Sequence, residues 1–291
     1  MFKLKDLFGK ISLRFLSEEI FKVTVKKDNM QISILASGSS GNTTYIETPQ
    51  RKILVDAGLS GIRIERLMNS IGKTLKDVDS ILVSHEHIDH VQGVGVLARR
   101  YGMDIYANQK TWDAMNKRIG KVDNAQKYLF EPGQTLSLGD IDIESFNVSH
   151  DAANPQFYQF HHKDKAFAIV TDTGYIDDKV AGVIKDADAY LFECNHDIDM
   201  LRVGPYPWAL KQRILGEKGH LSNEDGAQAL MDVLGNRTKK IYLGHLSQEN
   251  NVKELAHLTV EQLMAANDFA VGNDFEIMDT DPKKATNILT L

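Results

Sequence analysis

The sequence predicts an α/β domain with two sheets inside and helices outside. Two observations lead there. From Gln31 onward, short apolar or alternating runs bounded by turn residues take turns with longer runs of helical period. Strand-like runs also gather in both halves of the chain, each group followed by helices, with no long Gly/Ser linker, low-complexity tract or solenoid repeat between them. Periodicity alone does not separate such a sandwich from a doubly wound sheet; the motifs do.

In chain order, Ile32–Ala36, Thr43–Glu47 and Lys52–Val55 read as strands, because each is a short apolar or alternating run set off by turn residues. Gly61–Ile71 carries apolar residues at helical spacing. Ser80–Val83 has the continuous apolar pattern of a buried strand and runs straight into a cluster of histidines. Val91–Tyr101 reads as one helix, Asp104–Ala107 as a strand and Gln109–Gly120 as a helix. A strand-rich block follows at Tyr128–Phe130, Thr135–Leu138, Ile141–Val148, Gln156–His161 and Ala166–Thr171. The remainder alternates: helix Asp177–Lys185, strand Ala189–Phe192, helices within Pro207–Leu215 and Glu224–Leu234, strand Lys240–Leu243 and helix Val252–Ala266.

The chain has 291 residues, 42% of them apolar, enough for one large domain or two small ones with a buried core. The net charge of −6 argues against bulk electrostatic attachment to nucleic acid or to an anionic membrane, though a local basic groove is compatible with it. One cysteine, Cys194, rules out an internal disulfide, and a reduced, cytoplasmic protein is expected. No apolar run approaches the ~18 residues of a membrane span, so no stable membrane insertion is expected. Without thiol pairs, metal chemistry has to rest on histidine and carboxylate. Residues 1–29 are set apart as an N-terminal extension, with a single domain over 30–291. Phe8, Ile11 and Phe15 among Lys3, Lys5, Lys10 and Arg14 would suit an amphipathic surface helix. They lack the apolar core and cleavage site of a secretory signal.

The chemistry concentrates in Ser84-His85-Glu86-His87-Ile88-Asp89-His90. A loop between a strand and a helix can splay these side chains, His85 and His87 to one side, Asp89 and His90 to the other. Imidazole with carboxylate suits Zn²⁺, Mn²⁺ or Fe²⁺. Three later residues each follow a buried strand: His150, Asp172 in Val170-Thr171-Asp172-Thr173-Gly174, and His245 in Gly244-His245-Leu246-Ser247. Strand ends are where an α/β sheet presents ligands.

This order, HxHxDH then His, Asp and His, resembles the metallo-β-lactamase superfamily over nearly the whole chain from Met30. The resemblance implies an αββα sandwich, two mixed sheets flanked by helices, with the site on one edge. It implies that His85, His87 and His150 bind one divalent ion, that Asp89, His90 and His245 bind a second, and that Asp172 bridges them. Zn²⁺ or Mn²⁺ is expected, with Fe²⁺ or Ni²⁺ also compatible. Asp56, in Leu54-Val55-Asp56-Ala57-Gly58, matches an aspartate that orients the histidine loop. The β-lactamases of this fold carry cysteine where this chain carries Asp172, which moves the expected chemistry towards phosphodiesters.

Three further stretches, Leu35-Ala36-Ser37-Gly38-Ser39-Ser40-Gly41-Asn42, Glu193-Cys194-Asn195-His196-Asp197 and Gly219-His220-Leu221-Ser222-Asn223, resemble the YycJ (WalJ, VicX) group of nuclease-like proteins. That implies a phosphodiesterase or nuclease, a 5′-to-3′ DNA exonuclease in its most specific form, in which a metal-activated hydroxide attacks phosphorus. Asp89 would accept the proton, and His220 or His196 would protonate the leaving oxygen. The substrate would be nucleic acid, DNA ahead of RNA, or a small phosphodiester; a homodimer is compatible. Arg99-Arg100, Lys117-Arg118-Lys121 and Lys211 with Arg213 are the cationic groups that could face it. The alternatives are a metallo-hydrolase of a small thioester, lactone or cyclic phosphodiester, and a non-catalytic regulatory member of the fold. Ser222 and Asn223 are as well explained by capping the next helix.

Overall fold

The computed structural model describes residues 28–291. The amphipathic-helix expectation for the N-terminal extension lies outside the described residues. The chain opens with antiparallel strands β1 (Gln31–Ala36), β2 (Thr43–Glu47) and β3 (Lys52–Val55). Helix α1 (Gly61–Ser70) leads to β4 (Ser80–Leu82), then α2 (Ile88–Val91), α3 (Val94–Tyr101), β5 (Asp104–Ala107), α4 (Gln109–Ile119) and β6 (Lys127–Leu129). The second half begins with the antiparallel run β7 (Thr135–Leu138), β8 (Ile141–Asn147), β9 (Gln156–His162) and β10 (Lys165–Val170). It continues through α5 (Asp178–Ile184), β11 (Ala189–Glu193), α6 (Ile198–Val203), α7 (Trp208–Ile214), α8 (Asn223–Val233), β12 (Lys240–Gly244), α9 (Lys253–Ala266), β13 (Glu276–Asp279) and β14 (Leu289–Thr290).

The strands form two seven-stranded sheets, in the orders β14-β1-β2-β3-β4-β5-β6 and β13-β12-β11-β10-β9-β8-β7. Both are mixed: hairpins give the antiparallel pairs and helical crossovers the parallel ones. Period-2 alternation sorts the first sheet's side chains onto two faces. Ile53, Val55 and Leu82 join one apolar cluster with Ile143, Phe160, Phe167 and Ile169 of the second sheet. Leu54, Ile81 and Ile105 join another with Ile64, Leu97, Trp112 and Met115 of the covering helices. The first cluster also takes in Ile184, Leu230 and Val260 from α5, α8 and α9. The architecture is the expected sandwich: two mixed sheets flanked by helices. Among the described residues no helix is long and apolar enough to cross a membrane.

The structure departs from the sequence reading in a few elements. Val91–Tyr101 is two helices, α2 and α3. The break falls at Gly93, where the chain passes so close to the preceding loop that a Cβ would lie 2.5 Å from the Leu59 carbonyl oxygen. Helix α6 was not expected, being only six residues long. Strands β13 and β14 were not expected either. The two residues of β14 are ordered by pairing with β1, Leu289 opposite Ile32 and Thr290 opposite Gln31, a long-range cause no local pattern announces.

Candidate metal centre

The site residues gather past strand ends: His85 and His87 in the loop after β4, Asp89 and His90 on the short helix α2 that follows it, and His150 in the loop after β8. Asp56 after β3, Asp172 after β10 and His245 after β12 have φ of 57°, 52° and 55°. Left-handed backbone is uncommon for residues other than glycine, and Asp and His tolerate it better than most. Three such residues, one from the first sheet and two from the second, converging on one site mark a place where backbone strain is kept for a purpose. The histidine loop between β4 and α2 is held from the other side. Asn42 N donates to the Asp89 carbonyl at 2.8 Å, and Gly58 N to the Asn42 carbonyl at 2.9 Å. Gly58 passes so near that a Cβ there would lie 1.6 Å from the Asp89 oxygen.

The donors fall into two adjoining groups. Ligand atoms of His85, His87 and His150 lie within 4.8 Å of one another, as do those of Asp89, His90, Asp172 and His245. Asp172 stands between the groups. One of its oxygens is 3.2 Å from His245 Nε2 and 3.9 Å from His150 Nε2, and the other is 3.3 Å from His90 Nε2. Asp89 is 3.6 Å from both His90 Nε2 and His245 Nε2. The structure brings together the seven residues singled out in the sequence.

Four of the five imidazoles have a partner behind them; the exception is His87, whose Nδ1 lies 3.3 Å from His150 Nε2. His90 Nδ1 lies 2.8 Å from Asp56 Oδ2. Asp56 also accepts from Ser84 N and Ser84 Oγ, both at 2.8 Å, and Ser84 Oγ lies 3.0 Å from His85 Nδ1. His150 donates Nδ1–H to the Gly219 carbonyl at 3.1 Å, which leaves Nε2 facing inward. His245 Nδ1 is 3.0 Å from Glu193 Oε1. Of the inner nitrogens, His90 Nε2 lies 3.1 Å from Asn42 Nδ2 and His150 Nε2 lies 3.3 Å from His87 Nδ1, but other inward-facing atoms have no partner. His85 Nε2, His245 Nε2 and Asp172 Oδ2 are buried and make no hydrogen bond. Orphaned buried polar atoms are costly, and when several aim at one space they call for a ligand. Imidazole nitrogens with bridging carboxylate fit two divalent ions of the Zn²⁺ or Mn²⁺ kind.

Electrostatics point the same way. Burial opposes a charged His90, yet Asp172, Asp56 and Asp89 outweigh it and hold its pKa well above the usual value. His245 is pushed up to about 10 against burial, chiefly by Asp172, Asp89 and Glu193. Burial would raise the Asp172 pKa, but His245 and His90 hold it well below the carboxylate range. The carboxylates thus draw positive charge into a buried space. His85, by contrast, is kept neutral mainly by burial, as a metal-binding imidazole requires.

Glu193 was quoted in the sequence without being given a role. It is fully buried at the end of β11, and its Oε1 accepts from both His245 Nδ1 (3.0 Å) and His220 Nδ1 (2.7 Å). Its pKa, which burial alone would raise, is brought down to about 2 by His220 and His245. The available signal was its position: an acid directly after an apolar strand, like Asp172 and His245. His220 forms a third close group with Asp172, Glu193 and His245. His196 does not join these groups. Its ring is 1% exposed, both nitrogens lack partners, and burial pushes its pKa down to about 4.

The cationic candidates separate cleanly. Arg99 donates to the Ile119 and Lys121 carbonyls and Arg100 pairs with Glu65. Lys211 is buried, with Nζ donating to the Arg202 and Gly204 carbonyls at 2.6 and 2.7 Å. Arg99 and Lys211 are committed to these carbonyls, whereas Arg100 is exposed and held only by a 3.7 Å ion pair. Arg118 reaches the Glu86 carbonyl at 3.3 Å, and Arg213 pairs with Asp151, whose other oxygen is 3.3 Å from His150 Nε2. These two border the metal groups.

Residues 51–246 match the family model described as the beta-lactamase superfamily domain. The chain belongs to that superfamily. Within it, the chain is 61% identical over 256 residues to the exodeoxyribonuclease WalJ of Streptococcus pneumoniae serotype 2, covering 87% of this chain and 95% of that one. It is 52% identical over 259 residues to the exodeoxyribonuclease YycJ of Bacillus anthracis, covering 89% and 98%. It therefore belongs to the WalJ/YycJ family. Among solved structures it resembles the metallo-beta-lactamase fold protein YhfI of Bacillus subtilis, with a TM-score of 0.67 and 16% identity over 89% of this chain and 99% of that one. That likeness bears on the fold alone.

The bonding of Asp56 gives a prediction. Asp56→Ala leaves His90 Nδ1 and two Ser84 donors without their acceptor. Outer partners of this kind are worth about 10–100-fold in metal affinity. Competition of the variant with a chelating dye for Zn²⁺ is expected to show a loss of that size; unchanged affinity would remove Asp56 from the site.

Proposed function

We propose that this chain is a metal-dependent exodeoxyribonuclease: a hydrolase that cuts phosphodiester bonds in DNA from a strand end. One observation carries the reading. A chain 61% identical to an exodeoxyribonuclease over nearly its full length has two adjoining donor groups, with Asp172 of one lying 3.9 Å from His150 of the other. His85, His87 and His150 would hold one divalent ion, Asp89, His90 and His245 the other, with Asp172 between; Zn²⁺ or Mn²⁺ is expected ahead of Fe²⁺ or Ni²⁺. Such ions lower the pKa of a water they bind to about 7 and neutralise charge on the phosphoryl oxygens.

The chain's own groups do the rest. Asp56, Glu193 and the Gly219 carbonyl fix the imidazoles so that their free nitrogens face one space. Asp89, partly open to solvent, takes the proton of the attacking water. His220 protonates the leaving oxygen: its Nδ1 is committed to Glu193, which leaves Nε2 for the substrate. Glu193 acts through His220 and is a positioning residue. His196, without a polar partner and outside the donor groups, is not given a proton-transfer role. The full set of donors supports turnover over a purely regulatory role. DNA as substrate places the work in the cytoplasm, and a homodimer is supported by the resemblance alone.

The test is degradation of 5′-labelled and 3′-labelled single- and double-stranded DNA and RNA with Mn²⁺, Zn²⁺ or chelator. Stepwise release of nucleotides from DNA, lost with chelator, is expected. Intact DNA with every metal would overturn the reading.

A further inference from the structure

A cavity of about 170 Å³ opens beside the donor groups. His220, which groups with Asp172 and His245, lines it, as does Asn195, whose Nδ2 donates to the His245 carbonyl at 2.7 Å, so the cavity adjoins the donor groups. Tyr206, Leu210 and Ile214 supply apolar wall, and Ser39, Ser247 and Arg213 supply polar edge. The cavity has room for one planar ring system and not for a base pair.

Its aromatic wall is held rigidly. Tyr206 lies between Pro205 and Pro207, whose rings fix their own φ. The buried ammonium of Lys211 ties this segment down through the Arg202 and Gly204 carbonyls. Two residues on, Trp208 is 65% exposed, and Val203 just before is 86% exposed. A buried lysine spent on holding a loop that exposes Trp208 and Val203 makes sense if the loop's surface is used. Arg213 stands between this wall and the metal centre, paired only with the half-open Asp151 and so able to exchange that partner for a phosphate.

Apolar wall, a movable guanidinium and a mixed polar edge beside a phosphodiester-cutting centre fit one occupant. We propose that the Tyr206 cavity receives the base of a single unpaired nucleotide at the strand end, with Arg213 on the adjoining phosphate. This rests on the nuclease reading. A stacking wall with polar groups that match no single base predicts tolerance of all four bases and a preference for frayed or single-stranded ends over blunt duplex.

The test uses the metal-loaded protein and fluorescein-labelled single-stranded oligonucleotides with phosphorothioate linkages, either intact or lacking the terminal base, followed by anisotropy. Wild type is expected to bind the intact strand about 5- to 100-fold more tightly than the abasic one, the range for stacking one base on an aromatic side chain. Tyr206→Ala should bind both strands alike, at the weaker level, while Tyr206→Phe restores the preference. A structural defect would weaken both strands and leave the preference in place. Discrimination that persists in Tyr206→Ala, or is missing in wild type that binds and cuts DNA, overturns the cavity's role and leaves the nuclease reading standing. Wild type that neither binds nor cuts any strand overturns the nuclease reading and this inference with it.

Discussion

Asp172→Asn is expected to lower DNA cleavage by about 10²–10³-fold, the scale for losing a preorganised stabiliser of transition-state charge. The reason is its double membership. One oxygen lies 3.2 Å from His245 Nε2 and 3.9 Å from His150 Nε2, the other 3.3 Å from His90 Nε2. Neutralising it removes the one negative group shared by both metal positions, whereas loss of a single histidine would touch one. Bound metal, measured by atomic emission, should fall from two ions per chain to one or fewer. Asparagine is a better probe than alanine, because position 172 has a φ of 52° and asparagine accepts left-handed backbone. Two bound ions and ordinary cleavage in Asp172→Asn would remove the bridge from the mechanism.

His220→Ala is expected to slow cleavage of DNA by about 10²–10⁴-fold, the usual worth of a positioned general acid. The loss should depend on the leaving group. A deoxyribose oxygen needs a proton as the bond breaks, but a nitrophenolate leaves readily without one. Hydrolysis of bis-p-nitrophenyl phosphate should therefore fall far less than cleavage of DNA. Equal losses on both substrates would mean that His220 binds or positions and transfers no proton. Glu193→Gln should follow the same leaving-group pattern more weakly, since Glu193 holds His220 at 2.7 Å but also supports His245 at 3.0 Å.

The proposed metal donors are readable from the chain because four of them are crowded between His85 and His90, and the other three each follow an apolar strand. What lies behind the donors was only partly readable. Asp56 could be placed through the resemblance, but Glu193 could not. Its partners are 27 and 52 positions away, and in the linear chain it is one more acid at a strand end. His196 and His220 look alike in sequence, each in a short polar stretch after a strand or loop. Burial separates them: one ring has no polar partner, and the other is tied to Glu193 and lines the cavity. The basic residues show the same gap. Nothing local distinguishes Lys211, consumed by two carbonyls, from Arg213 at the edge of the site. In the fold, period-2 and helical patterns located the long elements. The split at Gly93 and the pairing of β14 with β1 depend on backbone meeting backbone across the tertiary structure.

The pairing of β14 with β1 also sets an order of events during synthesis. The edge of the first sheet is completed by Leu289 and Thr290, and Thr286 accepts from Ser33 through its carbonyl at 2.8 Å. At the other end of β1, the Ser37 hydroxyl accepts from His245 N at 2.8 Å. A ribosome that has made the histidine loop still lacks His245, the partner of Ser37 and the edge of the sheet that carries it. Contacts spanning so much chain are slow to form and can close only late. A nascent chain therefore holds an incomplete cutting centre until His245 and β14 have emerged, so a nuclease built this way cannot act before they do.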